Sequence, residues 1–245
     1  GMIKIFRHIR RRLLAENRFT RYLIYAIGEI VLVVIGILIA LSINNASAEA
    51  RTRNKEQVLL KEMRQNLLAD LQIMRGNIGA NRERIRANEM VLKGLQDRTA
   101  LNDTMKQQLG NIWGNYQLVE NTAAWENLKS VGLDLISNDS LRTSIATLYS
   151  TRYAYLDNLE KNLDDIYQRE HVYRLVLEHL NVDTMWGSAT PVDHEVLLND
   201  REFKEMLKMN LFLRGFMQGQ YEEVANEIRS ILMLLDHHIP SLEDQ

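Results

Sequence analysis

Residues 22–43 read YLIYAIGEIVLVVIGILIALSI, an apolar run interrupted by a single charge, Glu29. A helix rises about 1.5 Å per residue, so roughly 20 such residues match a hydrocarbon core about 30 Å thick. The run is longer than the core of a secretory signal, which holds about 7–15 residues. It reads as a retained anchor, a transmembrane helix over residues 20–45. The flanks set its direction. Lys4, Arg7, Arg10, Arg11, Arg12, Arg18 and Arg21 precede the run, whereas Arg51, Arg53 and Lys55 follow it mixed with Glu49 and Glu56. An excess of Lys and Arg marks the cytoplasmic side. The N-terminus is therefore expected inside and the long C-terminal part outside, which in a bacterium means an inner-membrane protein with a periplasmic domain.

Working outward, residues 2–18 form a basic segment in which Ile5, Phe6, Ile9 and Leu13 share one side and Lys4, Arg7 and Arg11 the other. That pattern suits an amphipathic helix on an anionic leaflet, with a docking arm for a cytoplasmic partner as the alternative. Residues 46–245 leave room for one ordinary domain beyond the anchor. A net charge of −2 supplies no global basic field, so no nucleic-acid partner is expected. The chain has no Cys, which excludes disulfides and thiolate metal sites. Its only prolines are Pro191 and Pro240. Long Pro-free stretches of good helix formers make the chain all-α, an elongated antiparallel helical bundle with no sheet.

The seams are legible in the spacing. Leu60, Leu67 and Met74, and Leu71, Ile78, Ile85 and Leu92, repeat every seven residues, with Asn81 and Asn88 at positions where apolar residues are expected. This heptad pattern reads as a long helix facing others of the same chain, or as a coiled coil between copies. A shorter helix is expected over Thr104–Val119, and another from Asn121 to Gly132. Asn138 or Asp139 then caps a helix running to about Asn181. Its predicted seam is Leu141, Ile145, Leu148, Arg152, Tyr155, Leu159, Asn162, Ile166, Arg169, Tyr173, Val176 and Leu180. Residues Val182–Asp193 read as a loop. Asn199 with Glu202 resembles a capping box opening the last helix, to about His237. The seam of that helix is Phe203, Leu207, Asn210, Arg214, Met217, Tyr221, Val224, Ile228, Ile231 and Leu235.

The stretch YLIYAIGEIVLVVIGILIALSINN, preceded by ENRFTRY, resembles an uncharacterised family of single-span membrane proteins common in Bacteroidota, with the signature AIGEI-x-LVVIGILIAL-x-INN. The stretch NTAAWENLKSVGLDLISNDSLR resembles the second motif of that family. The resemblance implies an inner-membrane location and a helical outer domain, and implies no activity. Ala46 and Ser47 stand where its members often carry Trp and Asn, so an interfacial Trp anchor is missing there.

Among candidate functional residues, Glu29 comes first. A carboxyl in hydrocarbon usually faces a partner helix or a water-filled path. Gly36 and Ala40 have the small-xxx-small spacing that lets helices approach. The three read as a helix-association face; a carboxyl reaching toward the inner headgroups and proton coupling are the alternatives. Trp113, Trp125 and Tyr149 are candidates for a ligand cleft, although aromatics at helical spacing are more often core. His171, His179, His237 and His238 read as surface residues at helix ends. No i, i+4 histidine pair of the HExxH kind occurs, so neither metal nor cofactor is expected. Glu160, Asp164 and Asp165 read as a solvated charged face. No nucleotide-binding loop or nucleophile elbow is present, so no enzyme is expected. The expectation is a scaffold or accessory subunit in contact with the lipid bilayer and acting through protein contacts, as a homo-oligomer or with a membrane partner. The competing class is a ligand-sensing subunit signalling through a partner, since about 20 residues inside are too few for an output domain.

The orientation is directly testable. Reporter fusions at Gln245 are expected to be active only outside the cytoplasm; activity confined to the cytoplasm overturns it.

Overall fold

The computed structural model describes residues 19–182 and 184–243, the side chains of residues 19–22 and 241–243 excepted. The basic segment 2–18 lies outside the described residues. Helix makes up 83% of the described residues, which places the chain in the all-α class. It divides into two compact units, residues 1–55 and 56–245. Helix α1, Phe19–Gln96, belongs to both. In the first unit every side chain from Ile27 to Glu49 is exposed, Glu29, Gly36 and Ala40 among them. This is the one described helix long and apolar enough to cross a membrane.

The second unit is built on three long helices. After α1 come the short α2, Asp103–Leu109, and α3, Ala123–Val131. Helix α4 occupies residues 139–179, its α-helical turns interrupted by three π-helical stretches. A hairpin of β1, Leu180–Val182, and β2, Ala189–Pro191, leads through α5, His194–Asn199, to α6, Arg201–Glu243. Long-range contacts give the directions. Arg64 meets Asp236 and Arg82 meets Glu222, so α6 runs antiparallel to α1. Arg152 meets Glu227 and Arg174 meets Glu202, so α6 also runs antiparallel to α4. Helices α1 and α4 consequently run the same way, and the chain between them must travel back along the bundle.

That return explains the first departure from the sequence reading. The helix expected over Thr104–Val119 stops at Leu109, and residues 110–122 form an arm with no regular structure. Ile112 on the arm meets Asn88 of α1, and Asn121 meets Asp70. Eighteen helical residues separate Asn88 from Asp70, about 27 Å at 1.5 Å per residue. The arm covers that span in nine residues, near the limit of about 3.3 Å each for extended chain. A helix there would fall short by half. Gly110 starts the arm because the hairpin crosses it: a Cβ there would collide with the Gly187 carbonyl oxygen.

The hairpin corrects the expectation of no sheet. Leu180 pairs with Pro191 and Val182 with Ala189, antiparallel. The capping residues also move slightly. Asn138 does cap α4, accepting from the Leu141 N–H at 3.0 Å. The last helix is capped by Asp200, which accepts from the Phe203 N–H at 2.8 Å, while Asn199 turns back to the Glu195 carbonyl. That helix also continues through Pro240 to Glu243.

Two apolar cores fill the bundle. One gathers Leu60, Leu67, Met74, Trp125, Leu141, Tyr149, Met217 and Ile231; the other gathers Val91, Leu109, Ile112, Trp113, Val176, Leu197 and Phe203. All ten predicted seam residues of α6 are buried. Residues 56–245, expressed alone, are expected to show a helix-dominated circular dichroism spectrum and one cooperative melt. A strand-rich spectrum, or a gradual loss of signal, would show that the bundle does not hold itself together.

Candidate functional site

Between the two cores lies a buried polar layer, and the arm is the reason for it. An extended segment outside any sheet has no ladder partners, and each backbone group buried without one costs about 1–3 kcal/mol. Side chains of the three helices take the place of neighbouring strands. The Ile112 carbonyl accepts from Asn88 at 2.9 Å and Asn210 at 2.8 Å. The Gly114 N–H donates to Gln168 at 3.1 Å, and the Tyr116 carbonyl accepts from the Tyr221 hydroxyl at 3.0 Å. The Leu118 N–H donates to the Glu160 carboxylate at 3.0 Å. Asn121 donates its N–H to Asp70 at 2.9 Å, and its carbonyl accepts from Tyr149 at 3.2 Å. Asp70 also accepts from the Tyr153 hydroxyl at 2.9 Å. Burial beside this carboxylate pushes the Tyr153 phenol well above its ordinary value.

The π-helical turns of α4 deliver three of these partners. The Tyr153, Asp165 and Tyr173 N–H groups bond to carbonyls five residues back, at Leu148, Glu160 and Gln168. Each such turn takes in one extra residue and shifts the inward face. The twenty-eight residues from Leu148 to Val176 thus make seven inward steps rather than eight: Tyr153, Leu156, Glu160, Asp164, Gln168, Val172 and Val176 are all buried. The predicted seam residues Arg152, Tyr155, Asn162, Ile166 and Arg169 are exposed instead. Glu160 and Asp164, expected on a solvated face, are 1% and 0% exposed.

Asp164 pairs with Arg214, which also donates to Asn81 at 3.3 Å and so ties the three long helices together. Burial pulls the Arg214 guanidinium down to about 10, still charged at neutral pH. Asn81 and Asn88 face α6 of their own chain: Asn81 donates to the Arg214 carbonyl at 2.8 Å, and Asn210 donates to Asn88 at 3.0 Å. Burial pushes the Glu160 carboxyl up to about 7, opposed by the Leu118 N–H.

The predicted cleft residues separate. Trp125 stacks on Tyr149 with ring centroids 5.2 Å apart inside the first core. Trp113 belongs to the second core, edge-on to Tyr173 at 5.5 Å. The three do not share one core, because the arm places Trp113, twelve residues up-chain of Trp125, at the far core. Two histidines placed on the surface by sequence are mostly buried and paired, His179 with Asp200 at 3.1 Å and His238 with Glu56 at 3.0 Å. Among the described residues no group of His, Cys, Asp and Glu is arranged to hold a metal ion. The polar layer itself is readable only in part from sequence: Asn81, Asn88, Asn210 and Arg214 break apolar seams, whereas Glu160, Asp164 and Gln168 give no such signal.

A model described as a family of unknown function, DUF6090, matches residues 29–181. The chain belongs to DUF6090. No curated protein and no solved structure matches it. The DUF6090 stretch starts at Glu29 and contains the arm, α4 and every polar-layer residue of α1; Asn210, Arg214 and Tyr221 lie beyond it. The DUF6090 match thus covers the arm and most of its partners.

Glu160 makes the layer sensitive to pH. Below its ordinary value of 4.5 the carboxyl is protonated whether the chain is folded or unfolded. Between 4.5 and about 7 the folded chain keeps a proton that the unfolded chain has released, so stability falls as pH rises and the loss is complete above about 7. The full loss approaches about 3 kcal/mol. Glu160→Gln keeps an acceptor for Leu118 and is expected to remove this slope, measured as the urea midpoint between pH 5 and 8. An unchanged slope would assign the dependence to other groups.

Proposed function

We propose that the chain is a membrane-anchored helical scaffold or accessory subunit that acts through protein contacts and has no catalytic role. Its apolar helix crosses the inner membrane once, with the N-terminus in the cytoplasm and the bundle in the periplasm. What supports the anchor is physical: a run of exposed large apolar residues from Leu23 to Ile43 has no partner among the described residues, and water is a poor solvent for it.

The observation that carries the contact role is a stripe on α6. Met209, Phe212 and Phe216 are 55%, 76% and 43% exposed. They fall at helical spacing on the face that carries Glu202 and Glu227, whose ion pairs with Arg174 and Arg152 bracket them. Apolar centre and charged rim are the anatomy of a protein interface. The filled aromatic core around Trp125 and Tyr149 also favours a scaffold over a sensor built on those residues. Glu29, Gly36 and Ala40 supply a second contact within the membrane, to another copy or a partner helix. A ligand-sensing role through a partner is the second reading, favoured by an apolar cavity beside Trp113.

Phe212→Ser with Phe216→Ser is expected to leave the melting temperature nearly unchanged, since both side chains are exposed. The same pair should cut crosslinking or co-purification from membranes several-fold at matched expression. Glu29→Leu with Gly36→Leu should weaken association as well, and Glu29→Gln should preserve it. Association untouched by both double variants would overturn the contact role.

A further inference from the structure

Charged residues face one another across the seam of α1 and α6 at three heights. Arg64 meets Asp236 at 2.6 Å, and Arg82 meets Glu222 at 2.7 Å. Eighteen residues of helix make about five whole turns, so Arg64 and Arg82 share a face of α1, and Arg75 falls between them on that face. On α6, Asp236, Arg229 and Glu222 follow one another at steps of seven, close to two turns each. The Arg82–Glu222 pair fixes the register of the two antiparallel helices. Seven residues back along α1 stands Arg75, and seven residues on along α6 stands Arg229. The outer heights set arginine against carboxylate. The middle height sets arginine against arginine.

No acid compensates that height. Neither Arg75 nor Arg229 has a carboxylate within ion-pairing distance among the described residues, and the hydrogen bond of Arg229 goes to the neutral Asn226. Glu222 is already held by Arg82 and by the Gln218 amide, the latter at 2.6 Å. The ion pairs from α4 to α6, Arg152–Glu227 and Arg174–Glu202, also match opposite signs. Like charges facing each other repel, and an anion between them reverses the sign of that interaction.

The space for one is present. Arg75, Gly79 and Arg82 from α1 and Asn226 and Arg229 from α6 line one open groove of about 410 Å³. The three arginines are exposed along it. Gly79 keeps it clear: a Cβ there would meet nothing within 4 Å, so no packing contact demands this glycine inside a helix, where glycine is a poor former. Apart from Ile78, the side chains around the groove are polar. Guanidinium groups grip phosphate oxygens through paired, charge-assisted hydrogen bonds.

We propose that this groove binds a small soluble phosphate monoester, its phosphate between Arg75 and Arg229 and its body over Gly79 toward Asn226 and Arg82. Such a phosphate carries close to two negative charges at neutral pH, matching two unpaired guanidinium groups. The volume leaves room for a body of sugar size, and the polar lining suits hydroxyl groups rather than hydrocarbon. The site uses neither the contact stripe of α6 nor the apolar run, and its test reads binding alone, so it stands or falls separately from the association experiments.

The experiment is calorimetric titration of the full chain in phosphatidylcholine nanodiscs at low salt, with glucose 6-phosphate, inorganic phosphate and glucose. Saturable binding of glucose 6-phosphate, ten-fold or more tighter than glucose, is expected. Arg75→Gln and Arg229→Gln should each weaken it ten-fold or more, while the unliganded chain melts no lower, because a like-charge contact is gone. Arg229→Glu should abolish binding and raise the melting temperature, since it gives Arg75 the opposite charge found at the other two heights. Gly79→Leu should weaken glucose 6-phosphate more than inorganic phosphate. Arg64→Gln, outside the groove, should leave the affinity within about two-fold. Absence of saturable binding by the wild type, equal affinity for ester and glucose, binding retained in both Arg75→Gln and Arg229→Gln, or an equal loss in Arg64→Gln overturns the site. Capture of phosphatidic-acid vesicles without binding of either soluble phosphate would make the groove a membrane contact, and overturns it too.

Discussion

The backbone of the arm must be satisfied without a sheet. Two of the three long helices run the same way, so the chain has to return along the bundle, and only near-extended backbone covers the distance in the residues available. Extended backbone buried among helices exposes N–H and C=O groups that no ladder completes. Asp70, Asn88, Glu160, Gln168, Asn210 and Tyr221 complete them one by one. The polar layer, the division of the interior into two apolar cores and the irregular pitch of α4 all follow from that requirement.

The same requirement explains why π-helical turns occur in α4 and not in α6. A uniform α-helix would turn Arg152, Tyr155 and Ile166 inward and leave Glu160, Asp164 and Gln168 in water. Three wide turns re-aim the helix so that carboxylate and amide groups meet the arm at the heights of Leu118 and Gly114. Once Asp164 is inside, Arg214 pairs with it and spans to Asn81. A buried pair of this kind does little for net stability but penalises any register in which its partner is missing. Arg84 is the exception in the layer, a buried cation whose hydrogen-bond partners, Asn111 and the Tyr116 hydroxyl, are neutral.

Local spacing and residue chemistry are enough to read the apolar run, the all-α class, the α6 seam with its Asn210 and Arg214, the Asn138 cap and the end of α3 at Gly132. The departures share one cause, which is that spacing along the chain carries no information about distance across the bundle. Helical periodicity assumes a constant number of residues per turn, and α4 does not keep one. Helix propensity over Thr104–Val119 is real, yet the geometry of return overrides it beyond Leu109. Helical spacing groups Trp113 with Trp125 and Tyr149, although an extended arm carries the first of them to a different core.

By itself the sequence determined what depends on neighbours within a turn or two: the long helical segments, the apolar face of α6, the Asn138 cap, and that one run is apolar over a bilayer's thickness. Those are properties of local backbone and side-chain chemistry. Only the tertiary structure decided the direction of α4, the path of the arm, the burial of Glu160 and Asp164, and the absence of a described carboxylate beside Arg84. Each of these depends on groups separated by tens of residues, whose pairing is settled by distance to be spanned and by hydrogen-bonding groups to be satisfied, and neither quantity is written in the spacing of residues along the chain.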